Sequence, residues 1–300
     1  MREFALFTID TFQSFQMHLG TFLKTTLKRD SVIRSICGYS YIPFLFILFP
    51  NSSQSQTMEV GLLGGGSYYL GDLNPGKHFM NTQLLYGALI RYNLDTRWAV
   101  KVSVARGKIK GNSAQSSFLP DRNLQFESPI TDISAVAEFN FFSYFIGSKY
   151  NSISPYIYAG IGCFFFEPVS GGQRLRAVGT EGQNVGYNGR KPYSPFGLGI
   201  PMGLGVKYSL SKAIGISVFW ELHKTFTDYL DDVSTTYYLV GPSIDSNDPG
   251  QVLSDPGRNH QPGMQRGNSE NNDWFAFFGL SVTYKFNIVS SRKCKEKKFN

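Results

Sequence analysis

From residue 56 onward the chain alternates apolar and polar side chains with a period of two, in eight separate runs joined by connections of two very different lengths. Trp98, Val100, Val102 and Val104 alternate with Ala99, Lys101, Ser103 and Ala105. Ile133, Ala135, Ala137, Phe139 and Phe141 alternate with Asp132, Ser134, Val136, Glu138 and Asn140. Ile214, Ile216, Val218, Trp220 and Leu222 do so with Gly215, Ser217, Phe219, Glu221 and His223, and Ala276, Phe278, Leu280, Val282, Tyr284 and Phe286 with Phe277, Gly279, Ser281, Thr283 and Lys285. Period two is the repeat of a strand with two unlike faces.

The eight runs cover Met58 to Leu70, Thr82 to Tyr92, Trp98 to Lys110, Gln125 to Tyr144, Ser154 to Glu167, Phe196 to Tyr208, Ile214 to Thr225 and Asp273 to Phe286. The connections Asn93 to Arg97, Phe145 to Ile153 and Ser209 to Ala213 are short, whereas Gly71 to Asn81, Gly111 to Leu124, Pro168 to Pro195 and Phe226 to Asn272 are long. Short and long alternate strictly. An even number of strands with short turns at one end and long loops at the other is the pattern of an all-β, eight-stranded antiparallel up-and-down barrel of the outer membrane, whose chain enters and leaves on the periplasmic side. Tyr92, Trp98, Phe142, Tyr144, Tyr156, Tyr208, Tyr284 and Phe286 collect at the short-turn ends and read as an interfacial aromatic girdle.

A soluble eight-stranded barrel would turn its polar face outward, so the placement of charge decides between the two. The polar face carries four acids, Glu59, Asp132, Glu138 and Glu221, and four bases, Arg91, Lys101, Lys207 and Lys285. Such a balance suits ion pairs filling a narrow lumen. On a lipid-facing wall each would cost roughly 2 to 4 kcal/mol near the midplane, so the apolar face is expected outside. An eight-stranded interior is filled by side chains, which argues against free solute passage through this porin-like fold.

The net charge of +7 does not indicate nucleic-acid binding. Between Gln56 and Phe286 there are 19 Lys and Arg against 18 Asp and Glu, and the excess lies at the two ends. Residues 1–55 read as a leader. Arg34 precedes an apolar stretch, Ile36 to Phe49, of signal-peptide length, and Ser53 and Ser55 suit a cut ahead of Gln56. Because such a signal normally begins with a short basic region, a signal peptide at 32–55 implies translation from near Val32, with 1–31 untranslated; the alternative is a long leader or a membrane anchor. Residues 56–286 are then the barrel and 287–300 a basic periplasmic tail. Cys163 and Cys294 would need a strand and the tail to meet, so no disulfide is expected.

Gly64-Gly-Gly-Ser-Tyr-Tyr-Leu-Gly-Asp-Leu-Asn-Pro75 lacks the third fingerprint glycine of a dinucleotide site and the Lys-Ser or Lys-Thr of a P-loop; it reads as a strand running into a turn. Gly64, Gly65 and Gly66 are expected to permit a bend or a close approach between strands. Some small outer-membrane barrels are hydrolases or acyltransferases, which draws attention to His78, His260 and His223. His223, with Glu221 on the same face and Thr225 beyond, reads as part of the polar fill. Asp245-Ser-Asn-Asp-Pro-Gly250 resembles a calcium loop only partly, because Pro249 and Pro256 stand where ligands belong; the whole of 226–272 reads as a solvated loop. No catalytic, cofactor-binding or metal residue is assigned, and no cofactor or nucleotide is expected.

Two stretches carry a resemblance. Phe278-Gly-Leu-Ser-Val-Thr-Tyr-Lys-Phe286 resembles the carboxy-terminal signal of outer-membrane proteins, although here a basic tail follows it. The opening from Glu59 through Gly-Gly-Gly-Ser-Tyr-Tyr-Leu to Leu73, the Arg91-Tyr-Asn turn and Ala105-Arg-Gly-Lys-Ile-Lys-Gly111 resemble an uncharacterised Bacteroidota outer-membrane barrel family, itself similar to the PorG-like barrel component of the type IX secretion system. The resemblance implies a non-enzymatic barrel in the outer membrane of a Gram-negative bacterium, in contact with lipid and with periplasmic envelope or secretion subunits. The alternatives are a barrel that binds an extracellular ligand or surface through its long loops and, further off, a small outer-membrane hydrolase.

Overall fold

The computed structural model describes residues 57–115 and 120–287. The leader, the start near Val32, Cys294 and the basic tail lie outside them. Eight long strands follow one another as antiparallel neighbours: β1 (Thr57–Leu70), β2 (Gln83–Asn93), β3 (Trp98–Asn112), β4 (Gln125–Asn140), β5 (Ile153–Phe166), β8 (Phe196–Ser209), β9 (Ile214–Thr225) and β10 (Trp274–Asn287). β10 pairs with β1 and β3 with β4, so the sheet closes on itself. Two two-residue strands, β6 (Val169–Ser170) and β7 (Gln173–Arg174), form a small hairpin on the outer end of β4.

The register sets the width of the barrel. From Trp98 the ladders lead to Phe139, Ile157, Leu204, Trp220, Phe278, Gly66 and Leu84. Leu84 stands two residues before Tyr86, the partner of Arg106, so the walk returns to β3 at Lys108, ten residues above its start. A stagger of ten over eight strands corresponds to a tilt of about 40° and a lumen that side chains can fill.

The two faces of the wall are those expected from the alternation. On β3, Trp98, Val100, Val102 and Val104 point outward and are 40 to 48% exposed, while Ala99, Lys101, Ser103 and Ala105 are buried in the lumen. Leu62, Leu84, Ile161, Leu198, Leu204, Val218, Leu280 and Val282 continue the exposed apolar band around the barrel. A soluble barrel would not leave such a band in water, because its burial is what stabilises the fold. The barrel buries its charges and presents hydrocarbon.

Glycine permits close contact where the strands cross near the outer end. A Cβ on Gly65 would stand 1.9 Å from the Phe278 carbonyl oxygen, whereas one on Gly64 would meet nothing closer than 3.8 Å. A Cβ on Gly66 would likewise run into the Phe278 ring and the Thr82 methyl, so the close-approach role belongs to Gly65 and Gly66 and not to Gly64. After Leu70 the chain turns through reciprocal backbone bonds between Gly71 and Asn74, and the Asn74 amide donates to the carbonyls of Tyr69 and Lys77. The whole stretch is spent on strand and turn.

One boundary and part of the girdle need correction. β4 ends at Asn140, because residues 141–152 fold under the barrel: the Tyr144 amide donates to the Thr96 carbonyl, and Tyr144 and Ile146 are buried. Tyr156 also faces inward, stacked on Tyr158 and lying beneath Lys207. Trp98, Phe142, Tyr208, Tyr284 and Phe286 do stand exposed on the outside, but Tyr144 and Tyr156 belong to the lumen. Position along the chain could not separate them; the pleat of β5 turns Tyr156 inward, and the fold of residues 141–152 does so for Tyr144.

Candidate functional site

The lumen is filled in tiers. Near the short-turn end, Arg91 on β2 bridges Glu59 on β1 and Glu138 on β4, each at 2.7 Å, and Lys207 on β8 reaches Glu138 at 2.6 Å. Thr283 and Asn93 donate to the two oxygens of Glu59, at 3.0 and 2.8 Å. Next comes Lys101, 3.3 Å from Glu221 and lying over the Tyr158 ring. His223 completes this tier, with Nε2 2.8 Å from Glu221 and Nδ1 3.5 Å from Asp132. Seven of the eight charges expected on the polar face are therefore buried together. Lys285, nearer the mouth, donates instead to the Ile146 carbonyl.

His223 is 1% exposed and stacks on Phe275 at 4.2 Å. Both ring nitrogens face carboxylates, which leaves no open side from which a substrate could be reached. Its geometry is that of a network member. His78 instead packs outside the barrel, its ring nitrogen 3.1 Å from the Tyr68 hydroxyl, and His260 stacks on Tyr237 with Nδ1 2.8 Å from Asp255.

Above the ion pairs the fill turns apolar. Leu85, Ile109, Phe126, Ile130, Phe164, Phe275 and Phe277 form a plug continuous with Leu73, Leu230 and Val233 from the loops. Charged fill thus describes only the lower part of the lumen. The inward residues Ile109, Phe126, Ile130, Phe164, Phe275 and Phe277 at the outer ends of β3, β4, β5 and β10 carry this change in the sequence itself.

The four long loops fold over this plug as one cap, so the solvated loop expected at 226–272 is corrected in part: Asp228, Leu230, Asp231, Asp232, Val233, Ser234, Tyr237 and Arg266 are buried, while 245–249 and 261–265 stand in solvent. Loop 226–273 contributes Arg266, whose guanidinium is 3.1 Å from Glu181 of loop 167–195 and 3.9 Å from the carboxylate of its own Asp232. Glu181 also accepts the Ser234 and Thr235 amides, and Asp232 accepts Tyr193 and Thr180. Arg122, from loop 113–124, donates to the carbonyls of Arg266 and Asp72 and so joins the second loop and the first to the fourth. All of Arg122, Arg266, Glu181 and Asp232 are buried. The stretch that partly resembled a calcium loop is a helix start: Asp248 accepts the Gly250 and Gln251 amides and caps α2 (Pro249–Ser254), with Pro249 in the first turn; α1 (Leu175–Val178) lies in the preceding loop. Among the described residues no group of three or more His, Cys, Asp and Glu side chains is arranged to hold a metal ion.

At the floor of the cap several acids meet. The Tyr69 hydroxyl, on the inward face of β1, lies 2.6 Å from Asp231 and 2.8 Å from Asp273. A phenol has one proton to give, so one of these contacts is donated by a protonated carboxyl. Burial pushes the Asp231 carboxyl up to about 8, and nearby Asp72 adds to the rise. Burial also lifts Asp273 far above the usual carboxylate range, with Asp231 and Asp228 adding to it, and pushes Asp228 up to about 9. Asp232 rises only to about 6, because Arg266 opposes the effect of burial. The floor is acidic in composition and largely protonated at neutral pH. Beside it a cavity of about 220 Å³ is lined by Leu73, Leu124, Leu175, Val233, Asp231 and Arg266, among others.

Sequence reasoning missed Arg122, Glu181, Arg266 and the double contact of Tyr69. The cap residues sit in segments without a period, where the one visible sign is the isolated apolar residues Leu230, Val233, Tyr237 and Ile244, all of them buried.

A closed barrel of eight tilted antiparallel strands, hydrocarbon outside and ion pairs inside, defines the class: an outer-membrane β-barrel of the kind found in Gram-negative bacteria. Within it, the chain belongs to the family described as "Domain of unknown function (DUF6089)", whose model matches residues 39–238. No curated protein matches it. Among solved structures it is similar to Neisserial surface protein A (11% identity, 78% of this chain and 98% of that one, TM-score 0.39). It is similar also to Ail of Yersinia pestis, solved in complex with the heparin analogue sucrose octasulfate (12%, 78% and 100%, TM-score 0.38), and to the amino-terminal barrel domain of Pseudomonas aeruginosa OprF (13%, 78% and 98%, TM-score 0.35). At these scores the architecture rests on this chain's own strand register.

Proposed function

We propose that the protein is a sealed, non-enzymatic outer-membrane barrel that anchors or assembles other envelope components, of which a type IX-like secretion machine in a Bacteroidota envelope is the specific candidate. The observation that carries this reading is the closed lumen: Arg91, Glu59, Glu138 and Lys207 occupy its lower part, and aromatic residues its upper part. A barrel closed in this way offers solutes no path and leaves its two ends as working surfaces. After removal of the 32–55 signal, the short turns and the basic tail at 287–300 would meet periplasmic subunits by this reading. The enclosure of His223 between Asp132, Glu221 and Phe275 supports a role without catalysis.

A second reading, recognition of an extracellular ligand or surface by the loops, is favoured by the folding of all four loops into one cap with a cavity of its own. Site-specific photocrosslinking in cells separates the two. Adducts of periplasmic lipoproteins from the tail support assembly, and adducts from the cap alone support recognition. Planar-bilayer recordings of the refolded barrel are expected to show no large, open-channel conductance; a steady ohmic pore would overturn the sealed reading.

A further inference from the structure

On the outward face of β3 the apolar series Trp98, Val100, Val102, Val104 is followed by Arg106, Lys108 and Lys110. Arg106 lies eight residues above Trp98, about 20 Å along the axis for a rise of ~3.3 Å per residue at a tilt of ~40°. A lipid-facing band is about 25 Å tall, so this guanidinium emerges at the upper margin of the hydrocarbon, where the ester and phosphate groups of the outer leaflet begin. Its ladder neighbours are Tyr86 on β2 and Thr131 on β4, neither of them acidic. Lys108 and Lys110 share one acid, each 2.6 Å from Glu127 on β4, which leaves the group with two more bases than acids.

We infer that the outer end of the β2–β3–β4 wall is a docking surface for the phosphate headgroup of an outer-leaflet lipid, held by the Arg106 guanidinium with Lys108 and Lys110 above it. Charge and position both select this occupant. An arginine on a lipid-facing wall is tolerated when it reaches the interface, and a planar guanidinium there presents paired N–H groups of the geometry that phosphate oxygens accept. Elsewhere the outer end of the wall is mainly apolar and aromatic, as at Phe165 and Phe196, exposed neighbours across β5 and β8, and the base on β9, Lys224, lies over the Trp274 ring. The surface is thus one-sided, and the barrel would carry its lipid on one flank.

The test uses the full-length chain refolded into phosphatidylcholine nanodiscs that contain a minor fraction of bisphosphorylated lipid A, with native mass spectrometry counting retained lipid. Arg106→Gln is expected to retain about fivefold less lipid A than wild type, and Arg106→Gln with Lys108→Gln and Lys110→Gln to retain none above phosphatidylcholine. Lys224→Gln, on β9 at the opposite flank of the barrel, is expected to leave retention unaltered. Dephosphorylated lipid A should not be retained, and free inorganic phosphate should not displace the bound lipid. Equal retention by wild type and Arg106→Gln, equal retention of the dephosphorylated lipid, or displacement by free phosphate would each overturn the inference. On the unmutated protein, a lipid A analogue photoreactive at its headgroup should crosslink to the outer ends of β2, β3 and β4. Crosslinks spread evenly around the barrel would refute it without any variant having to fold.

Discussion

The lumen and the cap both bury charge, but they neutralise it by different means. In the lumen Glu59 and Glu138 share Arg91, Glu138 also holds Lys207 and Glu221 holds Lys101, while Asp132 faces His223 at 3.5 Å. In the cap, Arg266 serves Glu181 and Asp232, while Asp228, Asp231 and Asp273 form no ion pair among the described residues, and burial raises their carboxyls toward the neutral form. The guanidinium of Arg91 keeps its charge at any moderate pH, whereas the carboxyl protons of the cap are lost as pH rises. The two halves should therefore fail under different conditions and for different substitutions.

The largest effect is expected from Arg91→Met, which leaves Glu59 and Glu138 buried without their shared base. Removing one partner of a buried pair costs about 3 to 5 kcal/mol, so denaturant unfolding of the barrel in detergent should move by that amount. An unchanged midpoint would mean that water reaches these carboxylates. Arg266→Met makes the corresponding break in the cap. Here loops 167–195 and 226–273 should become protease-sensitive while the barrel keeps its unfolding midpoint; a matching loss in barrel stability would show that cap and barrel form one cooperative unit.

A change of pH sharpens the contrast further. The raised carboxyls of the cap bind protons more tightly folded than unfolded, where they titrate near ~3.9, so their contribution is fully present below that value. It is lost as pH rises through about 8 for Asp231 and about 9 for Asp228. Hydrogen exchange in the cap, corrected for its intrinsic pH dependence, should accelerate between pH 6 and 9 beyond any change in the lumen strands, as a rough window set by those values. Cap protection that increases over this range would refute the protonated floor. Tyr69→Phe should cost about 1 to 3 kcal/mol of cap stability by stranding Asp231 and Asp273, and it should shift this pH response. The smallest effect is expected from Glu127→Gln, whose partners Lys108 and Lys110 are partly in solvent; such pairs contribute about 0.2 to 1 kcal/mol to unfolding.

Legibility in the sequence followed the same division. Strand number, alternation of loop lengths and the inward position of Glu59, Arg91, Lys101, Asp132, Glu138, Lys207 and Glu221 could all be read, because a strand writes its two faces into the chain every second residue. The inward turn of Tyr144 and Tyr156 could not. At a strand end the same aromatic suits lipid interface and lumen, and only the fold of residues 141–152 beneath the barrel settles Tyr144. The cap left almost no trace. Arg122, Glu181 and Arg266 are far apart in sequence, and the Asn, Gly, Ser and Pro around them gave 226–272 the look of a solvated loop.

What the sequence by itself determined is the wall: eight strands, their order, which face meets lipid and which charges lie inside. That information is local, carried by the period of the backbone pleat. Only the tertiary structure decided the pairings within the lumen, the seal above them and the cap, because each depends on residues brought together by barrel closure and by loop contacts that no local period encodes.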